Sequence, residues 1–459
     1  MRARVLVLIV TAVVVAAAAS FPRLFPKEDS HRLNVIVILT DDQSFDSIPR
    51  SIPVMPYLQG RALDPADHWV VFPNGFVNTP LCCPARTTML TGEYAHHTGV
   101  QDNEDGPLID EHQTLAAWLD GGGYYTGLVG KYLNLYPFGR GPYVPEGWDR
   151  WWGKEQGTSE SLYYDYTLVE QGQEVHYGHA ESDYSTEVYT QKALEFLRDA
   201  PSDQPFFLWF APTAPHPPVV PAPGDAGRYA HLVVPTKPSL GEADVSDKPA
   251  WVQALPPYTA EDVERERAAR RTSFEALLGV DRAVRSIVDE LRAKGELDET
   301  AIVYLSDNGF SFGEHRWVKK ICPYEECIRV PFLVRLPGVA HRIEPGMVSA
   351  VDLAPTIADL VGVHPDALFD GSSLVPLLRE DSHEGRTGEV YGEWVGDDRI
   401  PPWWELRGPR WAYIELATGE RELYDLRRDP YELVNIAADP RQAQRVAALS
   451  AALAAYRDT

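Results

Sequence analysis

Cysteine is scarce in this sequence, with four residues in 459, at positions 82, 83, 322 and 327. That is too few for a disulfide framework, and a chain long enough to bury a large core does not need one. Cys82 and Cys83 are adjacent rather than spaced as a metal knuckle, and no Cys or His stands near them in a zinc pattern. Cys322 and Cys327 are near enough in sequence to bridge, but spacing alone leaves their geometry open. Positive charge is also short: 42 lysines and arginines face 67 acids, a formal charge of −25. A nucleic-acid partner needs a basic face against its phosphates, so that class is excluded. A broad basic surface for a long polyanion is disfavoured too, which leaves room only for a local cationic pocket. The apolar run from Val5 to Ala19 is short of the about 20 residues a membrane span requires. It follows Met-Arg-Ala-Arg and ends in Ser20-Phe21-Pro22, so residues 1–20 read as a secretory signal peptide, with an uncleaved N-terminal anchor as the alternative. Paired arginines and a lipid-accepting cysteine are both missing from this segment. Neither an internal repeat nor a low-complexity tract occurs.

What is present is an ordinary globular composition, 44% apolar and 24% charged, which excludes disorder over most of the length. Asn34 to Thr40 and Ala301 to Ser306 are short, unbroken apolar runs of the kind that form strands buried on both faces, and Phe206 to Phe210 is a third. Helical patterns lie between them, at about Gln113 to Leu119, Tyr184 to Leu197 and Ala260 to Lys294, the last stopped by Gly295. Alternating strands and helices predict an α/β sandwich around a mostly parallel sheet. Pro-rich connections at 212–223 and 235–257 are suited to the rim of a site. Val348 to Val363 reads as the last helix of a main domain over residues 31–376. From 377 to 459 the pattern changes to short antiparallel strands (Glu389–Trp394, Trp411–Glu415, Glu422–Leu426) and a closing helix over Gln442–Tyr456.

Two of the buried-type strands run into acids, Asp41-Asp42 and Asp307-Asn308-Gly309. Either alone reads as a helix cap or a turn. As a pair at the carboxyl ends of matched strands, where ligands of open α/β sheets collect, they form an all-oxygen set for a hard cation such as Ca²⁺ or Mg²⁺. The segment Leu-Cys-Cys-Pro-Ala-Arg-Thr-Thr-Met-Leu-Thr-Gly places Cys82 near the start of a helix expected from Thr87, where free N–H groups favour anions. Arg86, four residues on, can hold an anion bidentately. A buried thiol or a thiol-protease nucleophile is the bland alternative, but no His with a nearby Asn or Asp supports the latter.

Cys82-Cys83-Pro84-Ala85-Arg86 with Thr91-Gly92 resembles the type I sulfatase signature, and the resemblance extends from Asn34 into the C-terminal unit. It implies an alkaline-phosphatase-like sandwich with a small C-terminal antiparallel sheet and helix. It implies that Cys82 is oxidised by a separate formylglycine-generating enzyme. Asp41, Asp42, Asp307 and Asn308 match the family's calcium ligands, with residue 82 facing the same ion; Lys131 in Val-Gly-Lys-Tyr-Leu-Asn and His216 in Pro-His-Pro-Pro match its sulfate-binding lysine and later histidine. Of the adjacent lysines, Lys320 fits the family spacing to Tyr324-Glu325, with Lys319 as runner-up. In the mechanism so implied, one hydroxyl of the hydrated aldehyde attacks sulfur and the other expels sulfate. Arg86, Lys131 and Lys320 gather sulfuryl charge, and His216 donates a proton to the leaving oxygen. Two positions depart from the family: Ala85 replaces the usual serine, and Leu133 replaces a histidine that many members carry. The Cys-Cys-Pro start and Gly-Lys-Tyr-Leu-Asn string are most similar to the N-acetylglucosamine-6-sulfatase branch. The expected product is thus a secreted sulfuric ester hydrolase acting on a sulfated small molecule or glycan. The alternatives are a phosphate or phosphonate ester hydrolase of the same superfamily and a non-catalytic binding protein. His96-His97 at the pocket, and Trp394, Trp403 and Trp404 as sugar-stacking faces, are weaker candidates; structural packing is the simpler reading of each.

Overall fold

The computed structural model describes residues 32–48, 54–379 and 388–459; the expected signal segment lies outside them. The two β-branched runs become neighbouring strands. Asn34–Thr40 lies parallel to Thr300–Ser306 on one side and to Phe206–Ala211 on the other, with Thr40 opposite Ser306. All three are buried from end to end, as strands covered on both faces should be. Tyr125–Gly130 and Arg150–Lys154 continue the parallel set beyond Phe206–Ala211. Antiparallel pairings extend the sheet on both sides, including the hairpin of Tyr166–Glu170 and Gln173–Tyr177, and Arg342–Ile343, paired parallel to Trp69–Val71, brings it to ten strands.

Alternation along Asn34–Thr40 separates two cores. Val35, Val37 and Leu39 pack with Met89, Leu115 and Ile357 on one face, and Ile36 and Ile38 with Phe196, Phe274 and Ile287 on the other. Helices therefore cover both faces, the sandwich expected from the sequence. The helix Ala260–Lys294 has the bounds its periodicity predicts, capped by Thr259 and ended by Gly295 in the left-handed region. Val348 to Val363 is not one helix. It divides into the strand Val348–Ser349, a short turn and the helix Leu353–Val361, because Ser349 and Asp352 form a capping box inside it. A further helix, Val375–Arg379, follows.

The C-terminal sheet is antiparallel, in the order Val390–Trp394, Trp403–Arg407, Trp411–Leu416, Arg421–Asp425. One face (Tyr391, Leu406, Tyr413, Leu423) packs on Val446 and Leu453 of the closing helix Ala443–Arg457. The other packs on the main core, where the Trp403 indole N–H donates to the Ile321 carbonyl at 2.9 Å. Trp394 and Trp403 are buried there, and Trp404 lies beneath the Arg457 guanidinium, so these rings pack rather than stack on a ligand. Cys322 and Cys327 form a disulfide between Lys320 and this sheet. Among the described residues no helix is long and apolar enough to cross a membrane.

Glu422 sits in the contact between sheet and main core, accepting from the Tyr324 hydroxyl at 3.0 Å and from the Tyr424 hydroxyl. Burial raises its carboxyl from 4.5 to about 7, against the opposing pull of Tyr424 and Lys248. The folded chain thus holds this proton more tightly than the unfolded chain. The stabilisation is complete below about pH 4.5 and is lost as pH rises through 7. Between pH 5 and 8 the wild type should lose on the order of 3 kcal/mol relative to Glu422→Gln. Urea midpoints at both pH values check this, and parallel curves for the two proteins would refute it.

Candidate active site

The register of the central strands builds the site. Because Thr40 lies opposite Ser306, Asp41 and Asp307 leave the sheet side by side at its carboxyl edge. Asp42 follows in the left-handed region (φ 64°), sparsely populated for residues other than glycine. It is held there by its own N–H on Asp307 Oδ1 (3.1 Å) and by the Gln43 N–H on Ser306 Oγ (2.9 Å). Asn308 Nδ2 donates to Asp42 Oδ1 at 2.6 Å, and all four residues are buried.

The helix that faces these acids starts earlier than its sequence pattern suggests. It runs Cys82–Thr91, with Cys82 itself in the first turn and Gly92 in the left-handed cap. Pro84 does not delay it, since a first-turn residue has no helical acceptor for the N–H that proline lacks. The two adjacent cysteines part company at this point. Cys83 joins the apolar core, whereas Cys82, 1% exposed, directs Sγ to Asp41 Oδ1 at 3.3 Å. Burial, then the charge of Asp41, pushes the Cys82 thiol far up, so as a plain thiol it is no ready nucleophile.

Three cations surround the acids. Arg86, one turn along the helix, donates through Nε to Asp307 Oδ2 (2.8 Å) and through Nη1 to the Lys131 carbonyl (2.7 Å). Its side chain is 1% exposed, and Nη2 has no hydrogen-bond partner, lying 3.7 Å from Asp41 Oδ2. Lys131 follows the strand Tyr125–Gly130 and places Nζ 2.7 Å from Asp41 Oδ2. Lys320 places Nζ 2.7 Å from both Asp42 Oδ1 and Cys82 Sγ, while Lys319 is exposed. Burial alone would raise the Asp41 carboxyl, but Lys131, His216, Arg86 and Lys320 together hold it well below its ordinary value. Asp307 goes the other way: burial and the charge of Asp41 raise it against Arg86 and Lys131.

His216 comes from the Pro-rich connection after Phe206–Ala211, between the cis bonds Ala214–Pro215 and Pro217–Pro218. Its Nδ1–H donates to the Pro217 carbonyl (2.6 Å), which leaves Nε2 facing Asp42 Oδ2 at 3.5 Å. Burial is the main cause lowering its pKa. One atom each from Asp41, Asp42, Cys82 and His216 lies within 4.8 Å of the others. The donor set fits a hard cation: three buried carboxylates, plus an Asn308 Oδ1 that is buried without a partner.

Every residue the sequence nominates as catalytic or metal-ligating therefore meets here, with Lys320 rather than Lys319. His96 and His97 do not; they bind Glu393 and Asp370. Leu133 lies in the apolar core, so its side chain offers no donor at the position where the resemblance leads one to expect a histidine. The sequence reading missed Lys154, the last residue of the parallel strand Arg150–Lys154. Burial and the charge of Lys131 lower its pKa to about 8. The strand-end rule that singled out Asp41 and Asp307 would have found it, had this Trp-Trp-Gly segment been read as a strand.

The family model described as Sulfatase matches residues 33–363, and that of the N-sulphoglucosamine sulphohydrolase C-terminal region matches residues 313–459. N-acetylglucosamine-6-sulfatase of Homo sapiens is 34% identical over 386 residues, covering 81% of this chain and 68% of that protein. An arylsulfatase of Volvox carteri is 32% identical, covering 94% and 76%. The extracellular sulfatase SULF-1 homolog of Drosophila melanogaster is 33% identical over 79% of this chain, but the chain spans only 33% of that relative's length. Among solved structures, one described as a complex with its substrate D-glucosamine-2-N,6-O-disulfate superposes with a TM-score of 0.80 at 24% identity, covering 93% of this chain and 98% of that one. The phosphonate monoester hydrolase of Agrobacterium radiobacter gives 0.75 at 23%, covering 93% and 96%. These two likenesses establish the fold.

Proposed function

The chain belongs to the sulfatase family, and from that premise we propose that it hydrolyses a sulfate monoester on a sugar, with residue 82 as the nucleophile. The observation that carries this reading is Cys82 Sγ at a helix start, between Asp41 and the Lys320 ammonium. As formylglycine, residue 82 would supply a hydroxyl nucleophile, and a Ca²⁺ or Mg²⁺ ion on Asp41, Asp42, Asp307 and Asn308 would supply the polarising charge. Lys131 and Lys320 are placed to take up charge on the sulfuryl oxygens, and Arg86 adds its field from beneath. His216 has its Nδ1–H committed to Pro217 and presents Nε2 towards the leaving oxygen, to which its imidazolium form would give a proton. The 34% identity to an N-acetylglucosamine-6-sulfatase supports a sulfated amino sugar as substrate. The extracellular relative supports export, with a formylglycine-generating enzyme as the maturation partner.

Mass spectrometry of the peptide carrying Cys82, on active protein, tests the nucleophile; an unmodified thiol throughout would overturn it. The likeness to a phosphonate monoester hydrolase favours one second reading, a phosphate or phosphonate ester substrate. Paired assays on matched sulfate and phosphate esters decide between them, faster phosphate turnover sinking the sulfatase reading. The two lysines provide a further check. Lys320→Ala should cut kcat/KM by about 100-fold, the scale of one lost oxyanion donor, whereas Lys319→Ala should stay within about twofold because its side chain is exposed. Equal losses in the two variants would reverse the assignment.

A further inference from the structure

A second cluster of potential ligands lies apart from the site just described. His315, Glu326 and Glu432 each offer a ligand atom, and these atoms lie within 4.8 Å of one another. The three residues come from separate segments: the turn after the strand Ser311–Phe312, the helix Glu325–Ile328, and the loop that follows the last strand of the C-terminal sheet. They are 1%, 5% and 1% exposed.

The cluster is more than a group of acids, because each member presents an atom that nothing satisfies. His315 Nε2, Glu326 Oε2 and Glu432 Oε1 are buried without a hydrogen-bond partner. Their other atoms are committed. His315 Nδ1–H donates to Glu242 Oε2 at 2.7 Å, Glu326 Oε1 accepts from Lys237 Nζ at 2.9 Å, and Glu432 Oε2 accepts from the Glu325 N–H at 3.1 Å. Among the described residues the Glu432 carboxylate has no lysine or arginine partner. Lys248 beside it donates to the Glu432 and Leu433 carbonyls instead. Orphaned buried atoms on three converging side chains call for an occupant, since a buried polar atom left unpaired is costly. The Glu242–His315 pair adds an independent pointer. A histidine that binds a metal through one nitrogen usually donates the other N–H to a carboxylate, which fixes its tautomer and strengthens it as a ligand.

We propose that His315 Nε2, Glu326 Oε2 and Glu432 Oε1 bind a divalent transition-metal ion, zinc being the probe. One imidazole and two carboxylates suit such an ion, which tolerates mixed nitrogen and oxygen ligands, better than calcium, which takes six or more oxygens. With one ligand atom of each residue within 4.8 Å of the others, the three side chains admit an ion between them after a small contraction. The ion fastens the C-terminal loop to the segment that carries Lys320 and the 322–327 disulfide, and so acts as a structural staple outside the chemistry.

The test is metal analysis of the full-length protein, expressed with zinc and desalted. Wild type is expected to retain about one equivalent of zinc, and so is Asp42→Asn, in which the catalytic cation site is damaged. His315→Gln and Glu432→Gln are expected to lose it, and added zinc should raise Tm by several degrees in wild type but not in His315→Gln. Zinc content at background in wild type, or undiminished in both ligand variants, would overturn the proposal. If the variants fail to fold, anomalous scattering from wild-type crystals at the zinc edge decides: a peak at coordination distance from His315 Nε2 supports the site, and a water in its place overturns it.

Discussion

Cys82→Ala is expected to lower kcat/KM on a sulfated amino sugar by on the order of 10⁴-fold or more, about 5 kcal/mol of transition-state stabilisation. The size follows from the lack of a substitute. Cys83, one residue away, faces the apolar core, and no other nucleophilic side chain among the described residues stands between Asp41 and Lys320. Alanine leaves the acids, Arg86 and both lysines in place, so the loss should fall on kcat with KM little changed. The folded state should also survive, since only one buried sulfur is removed and the Asp41–Lys131 and Asp42–Lys320 pairs persist. Steady-state kinetics with a thermal melt on the same sample measures both. Activity within about tenfold of wild type would remove residue 82 from the mechanism.

The second large effect concerns stability. Arg86→Met should destabilise the chain by about 3–5 kcal/mol, the range for breaking a buried ion pair from one side. Among the described residues Arg86 is the only guanidinium touching Asp307, and burial with the Asp41 charge already raises that carboxyl. Methionine fills similar volume but leaves Asp307 Oδ2 and the Lys131 carbonyl without the Arg86 donors. Arg86→Lys should recover only part of the loss, because one ammonium cannot reach Asp307, Asp41 and the Lys131 carbonyl together. Denaturant midpoints in chelator, which removes any compensating cation, give the comparison. A shift below about 1 kcal/mol for Arg86→Met would mean that the acids do not depend on this residue.

The centre of the fold was legible because its signal is local. Val35 to Leu39 and Ala301 to Leu305 are unbroken apolar runs, and runs of that kind have few homes besides a doubly covered strand. The site inherits that clarity, since Asp41 and Asp307 are simply the next residues along the chain. Legibility fails where the reason for a residue lies elsewhere in the molecule. Tyr125–Gly130 contains Gly127, a poor strand residue, which is required there because the Phe196 ring occupies the space a side chain would need, 2.4 Å from a Cβ built there. Gln173–Tyr177 is exposed along most of its length and carries no apolar alternation to read. Trp403–Arg407 follows two prolines and opens on adjacent tryptophans rather than an apolar alternation, and its place is set by a contact 82 residues away, the Trp403 indole on the Ile321 carbonyl. The His315, Glu326 and Glu432 cluster unites three segments that only the folded chain brings together.

The depth of Cys82 also sets an order of events. A side chain 1% exposed, with Asp41 on one side and Lys320 on the other, is out of reach of another protein's active site. Lys320 arrives from a part of the sequence made long after residue 82. If a second enzyme oxidises Cys82, its opportunity is the interval before the later half of the chain closes over it, so the rate of folding becomes a determinant of how much of the protein matures.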